Sequence, residues 1–142
     1  MALNKVTVIL WLDDIRNPHM PGWESMVPSR GRVHSVAWVR DYSEFISWIE
    51  HNGLPDVISF DHDLGMEHYV APQYWSDYYS SSRIQERADH KEKTGYDCAK
   101  WLIEYCLDKK TPMPETHVHS ANPVGADNIR ELILNFIKHH SI

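Results

Sequence analysis

Residues 6–14 read VTVILWLDD, and this stretch decides the fold. Seven residues from Val6 to Leu12 are almost all apolar or β-branched, without the alternation of a sheet that faces water on one side. Such a run is expected of a parallel strand covered on both faces, and it stops at the acidic pair Asp13-Asp14.

Working outward, residues 13–32 hold prolines at 18, 21 and 28 and glycines at 22 and 31, so the spacing predicts a long irregular crossover with room for a short helical turn. Val33 to Val39 is read as a second strand. Asp41 then caps a helix whose Tyr42, Phe45, Ile46 and Ile49 recur at helical spacing before Asn52-Gly53 closes it. Val57 to Phe60 is a short buried strand that runs into Asp61-His62-Asp63. Beyond an insertion at about 66–93, Thr94 caps a helix striped by Ala99, Leu102, Ile103 and Cys106. A fourth strand is read around Thr116 to His119, and Asn122-Pro123 starts a last helix carrying Ile129, Leu132, Ile133 and Phe136. The order β-β-α-β-α-β-α calls for an α/β domain with a parallel sheet of four strands in the order 2-1-3-4. One domain, residues 1–142, is expected at this length.

Composition narrows the functional classes. No apolar run approaches the roughly 20 residues that span a bilayer, and the N-terminus does not read as a secretory signal, so a cytoplasmic protein with no membrane association is expected. Cys98 and Cys106 lie eight apart on one helix, about 12 Å at 1.5 Å per residue, too far for a disulfide between them. A net charge of −6 argues against gripping duplex nucleic acid by its phosphates, while a small phosphate carried on a metal stays compatible.

Three strands end in polar clusters: Asp13-Asp14, Asp61-His62-Asp63 and Ser120-Ala121-Asn122. In an open parallel sheet these ends share one edge, where ligands bind at the switch in strand order. Carboxylates of Asp13, Asp14 and Asp61 gathered there would repel unless a cation offsets them, and hard oxygen donors favour Mg²⁺, Mn²⁺ or Ca²⁺, with Mg²⁺ or Mn²⁺ preferred beside a phosphate. An Asp-Asp pair alone would serve equally well as a loop cap. His62, between two aspartates, is a candidate general acid or base with Asp63, or else a hydrogen-bonded core histidine. His117 and His119 share one strand face by the two-residue period, and His119, nearer the strand end, is the better candidate for a catalytic role at the site; a His-only metal site there is not expected.

Ser120, Asn122 and the amides around Gly125 offer a phosphate cradle at a helix start, or simply a well-capped helix. Arg16 is placed to clamp a phosphate or to pair with an acid. In the insertion, Tyr69, Tyr74, Trp75, Tyr78 and Tyr79 suit stacking on a base, packing of a lid or contact with a protein partner, with Arg87, Lys91 and Lys93 nearby.

Four ordered motifs carry a resemblance: Leu12-Asp13-Asp14-Ile15-Arg16-Asn17-Pro18; Ser59-Phe60-Asp61-His62-Asp63-Leu64-Gly65; Thr94-Gly95-Tyr96-Asp97 with Trp101-Leu102; and His119-Ser120-Ala121-Asn122-Pro123-Val124-Gly125 with Asn128-Ile129. Together they resemble the cyclic-phosphate processing family of receiver-like domains, a variant of the response-regulator receiver. The resemblance implies a three-layer receiver or flavodoxin-like fold and action on cyclic phosphates of nucleotides or RNA ends. It also implies metal-binding roles for Asp13 and Asp14, the phospho-accepting position for Asp61 and the hydroxyl position for Ser120. Departures from an ordinary receiver are the missing first helix, the missing fifth strand with its lysine, and the added His62 and Asp63. These departures argue against phosphorelay signalling. The expected function is a metal-dependent phosphoesterase acting on a cyclic or small nucleotide phosphate, with a non-catalytic nucleotide-binding or protein-interaction module as the alternative.

Overall fold

The computed structural model describes residues 5–64 and 93–140. Four parallel strands, β1 (Thr7–Leu12), β2 (His34–Val39), β3 (Val57–Phe60) and β4 (Glu115–Val118), form one sheet in the order β2-β1-β3-β4. Three helices complete the architecture: α1 (Tyr42–Asn52), α2 (Gly95–Lys109) and α3 (Pro123–His140). The receiver-like α/β reading therefore holds, with β1 and β3 central and almost wholly buried and β2 and β4 half-exposed at the edges. The aromatic insertion and its proposed partner surface lie outside the described residues.

The two faces of the sheet are covered differently. Leu10, Leu12, Ile58 and Phe60 meet Phe45 and Ile49 of α1, Leu102 and Cys106 of α2, and Ile129 and Ile133 of α3 in one continuous core. Each fully buried side chain of this size is worth roughly 1.5–3 kcal/mol. On the opposite face, Ile9, Trp11 and Val57 lie under Val27 of the crossover between β1 and β2. That third layer is irregular chain with a single 3₁₀ turn, Glu24–Met26, because prolines and glycines interrupt any longer helix. Since β1 reaches β2 across one face and the later connections travel the other way across the helical face, strand order reverses between β1 and β3.

Local signals set the boundaries. The Asp41 side chain accepts from the Glu44 amide to cap α1, and Thr94 with Asp97 forms a reciprocal capping box at α2. β4 begins and ends one residue earlier than the sequence pattern suggests, because its register follows β3 from Val57↔Glu115 to Phe60↔Val118. His119 still donates its backbone N–H to the Phe60 carbonyl (2.9 Å), so it sits at the strand end. Both cysteines are buried free thiols.

Candidate metal centre at the strand ends

The loop after β1 is held from several sides. One Asp13 carboxylate oxygen, Oδ1, accepts from the backbone amides of Ile15 and Arg16 at 2.9 Å each, folding the chain back on itself. The other, Oδ2, receives Arg16 Nη1 and His119 Nε2, both at 3.1 Å. The indole N–H of Trp38 donates to the Asp13 carbonyl (2.6 Å), that of Trp11 to the Arg16 carbonyl (2.9 Å), and Arg40 binds the Asp14 carbonyl through Nε and Nη2. Burial works against charge on Asp13, but the bonds from His119, the two amides and Arg16 outweigh it and hold the carboxyl below its usual range. Asp13 is a fully buried, ionised hub.

Asp61 is in the opposite situation. It follows β3, its side chain is 2% exposed, and Oδ2 is the buried side-chain oxygen that lacks a hydrogen bond among the described residues. Arg16 Nη1 lies 3.8 Å from it. Burial first, and the Asp13 charge second, push Asp61 up to about 7 despite the opposing influence of Arg16 and the Ser120 hydroxyl.

Ligand atoms of Asp13, Asp14 and Asp61 all lie within 4.8 Å of one another. The three carboxylates meet at one point with Arg16 beside two of them, and Asp61 Oδ2 is buried without a hydrogen bond among the described residues; this all-oxygen donor set fits a hard divalent cation.

A second group of side chains lies beside the first. His62 Nδ1 is 2.8 Å from Asp63 Oδ1, and Asn122 Nδ2 donates to the same Asp63 oxygen at 3.3 Å. Asn122 Oδ1 accepts from the Gly125 amide (2.9 Å) and Ser120 Oγ from the Asn122 amide (3.1 Å), so the start of α3 is capped from within. A Cβ on Gly125 would fall inside the His62 ring, within 2.7 Å of three of its atoms. The glycine thus serves the packing of His62, and its amide is already engaged by Asn122.

The predicted residues therefore divide into three sets. Asp13, Asp14, Asp61 and Arg16 converge at the switch point, and Ser120 is close enough to Asp61 to act on its ionisation. His62, Asp63, Asn122 and Gly125 form the adjoining polar group. His119 turns inward, its side chain 5% exposed and stacked on Trp11 at 3.8 Å with the rings 7° from parallel. Burial lowers its pKa, against the pull of Asp13. His117, on the same strand face, pairs with Glu115 at 2.6 Å instead.

Residues the sequence reading passed over are Trp11 and Trp38 as loop clamps, Ser59, and Gly95. A Cβ on Gly95 would overlap the Asp61 carbonyl oxygen, so α2 starts directly against the chain that carries Asp61. Gly95 N–H also donates to the His62 carbonyl at 2.8 Å.

Against this geometry, the family model of the cyclic-phosphate processing receiver domain matches residues 8–135, from the second residue of β1 to near the end of α3. The chain belongs to that family. No curated protein and no solved structure matches it. This cyclic-phosphate processing receiver carries an acidic trio at its strand ends and packs the β1–β2 crossover on one sheet face. Among the described residues, no helix is long and apolar enough to cross a membrane.

Proposed function

We propose that this receiver is a metal-dependent phosphoesterase that opens a cyclic phosphodiester, or cleaves another small nucleotide phosphate, at the C-terminal edge of its sheet. The observation that carries the reading is Asp61 Oδ2: a buried, unbonded carboxylate oxygen beside two further carboxylates at the switch point. Asp13, Asp14 and Asp61 would hold the cation, Mg²⁺ or Mn²⁺. Bound there, it polarises a phosphoryl oxygen and lowers the pKa of a water. Arg16 would offer positive charge to a phosphate at this edge, and the Ser120 hydroxyl would donate toward charge that develops on phosphorus oxygens. His62, oriented by Asp63, moves a proton between the attacking water and the leaving alkoxide. One P–O ester bond breaks, one forms to water oxygen, and a phosphomonoester results.

Phosphorus NMR on cyclic mononucleotides, cyclic dinucleotides and 2′,3′-cyclic phosphate ends, incubated with Mg²⁺ or Mn²⁺, tests the reading. A new phosphomonoester resonance is expected with wild type, lost with chelator and in Asp61→Ala. Activity that survives Asp61→Ala would refute the site, and an unchanged panel alongside demonstrated nucleotide binding would favour a non-catalytic module.

A further inference from the structure

Below the acidic trio runs a hydrogen-bonded chain that no step above uses. Ser59 Oγ lies 2.7 Å from His119 Nδ1, and His119 Nε2 lies 3.1 Å from Asp13 Oδ2. All three groups are shut away from solvent: Ser59 is 1% exposed, and the side chains of His119 and Asp13 are 5% and 0% exposed. Trp11 stacks on the ring and fixes its plane, and the partners at Nδ1 and Nε2 set which way round it lies.

We propose that Ser59 and His119 form a positioning relay: Ser59 holds His119 as the Nε2–H tautomer, and that N–H fixes the Asp13 carboxylate so that the trio presents its charge to a divalent cation. Counting protons leads to this assignment. Asp13 is acceptor-only, so Nε2 carries a hydrogen. Were Nδ1 protonated as well, the Ser59 hydroxyl proton would be a buried donor with no partner among the described residues, at a cost of about 1–3 kcal/mol. With Nδ1 bare, Ser59 donates to it and every polar atom of the chain is satisfied.

The same three residue types make the nucleophilic triad of hydrolases, where Nε2 faces serine and Nδ1 faces aspartate. Here the ring is reversed, and Ser59 is sealed inside the sheet, so it is no nucleophile. Its role matches that of partners behind metal ligands, which orient the ligand and whose removal typically costs 10–100-fold in affinity. Asp13 depends on the relay because, among the described residues, its Oδ2 accepts hydrogen bonds from His119 and Arg16 alone.

The relay rests on the metal reading for its consequence but not for its tautomer, and two readouts separate them. Long-range ¹H–¹⁵N NMR of the histidine rings should show the Nε2–H tautomer for His119 in wild type and a mixed population in Ser59→Ala. Mn²⁺ titration followed by electron paramagnetic resonance should show roughly 10–100-fold weaker binding in His119→Leu. His119→Gln, which can return an N–H near the same place, should recover most of it. An Nδ1–H or doubly protonated ring in wild type would overturn the relay, as would wild-type Mn²⁺ affinity in a folded His119→Leu. Absence of Mn²⁺ binding by wild type would refute the metal reading while the tautomer still decides the relay.

Discussion

Replacing Asp61 by asparagine should stabilise the metal-free protein, and the gain should grow with pH. In the unfolded chain an aspartate titrates near 3.8, whereas in the fold Asp61 is pushed to about 7 by burial and by Asp13. Between those values the unfolded state has lost a proton that the folded state keeps, so stability falls as pH rises through the window and levels off above about 7. At about 1.36 kcal/mol per pH unit, the penalty is roughly 1.6 kcal/mol at pH 5 and roughly 4 kcal/mol at pH 8.

Asparagine carries no such penalty, though its amide must still find partners in a 2% exposed position, which reduces the net gain at either pH equally. The difference between the two pH values is therefore the clean quantity, about 2–3 kcal/mol. In a chain of this size that corresponds to roughly 5–12 °C in Tm. Thermal unfolding of wild type and Asp61→Asn, both in chelator, should show the variant's advantage widening by this amount from pH 5 to pH 8. An advantage that stays constant, or that shrinks from pH 5 to pH 8, would refute the charge argument.

The close contacts make two further predictions. Gly95→Ala drives a Cβ into the Asp61 carbonyl oxygen and should cost about 2–3 kcal/mol net of the better helix propensity of alanine, read as a denaturation midpoint shift; an unchanged midpoint would mean that α2 does not rest on that chain. Gly125→Ala should expel the His62 ring from the start of α3, loosening its pairing with Asp63 and reducing turnover more than Mn²⁺ affinity; equal loss of both would show that His62 acts through the fold of the metal centre.

Much of the fold was legible because the deciding features are local. The apolar run at β1, the caps at Asp41 and Thr94, and the polar residues at three strand ends each depend on neighbours in sequence. From them the strand order, the edge and the trio Asp13, Asp14 and Asp61 follow. What the sequence concealed is long-range. Ser59 and His119 are 60 residues apart, and Trp38 reaches Asp13 across 25, so neither partnership leaves a periodic signature. Nothing local to Trp38 shows that its indole N–H is spent on the Asp13 carbonyl. Gly95 reads as an ordinary helix start and Gly125 as part of a phosphate cradle or a helix cap; only the opposing chain at Asp61 and His62 shows why a side chain is excluded. His119 drew interest as a residue near the edge, yet the pleat that places it there also turns its ring under Asp13.

The most direct test of the central claim, that the acidic edge holds a divalent cation, is Mn²⁺ titration at pH 8 followed by electron paramagnetic resonance on wild type and Asp61→Asn. One saturable site in wild type, weakened at least tenfold in the variant and displaced by Mg²⁺, is the predicted result. Equal Mn²⁺ binding by a folded Asp61→Asn, or none by wild type, would contradict the account.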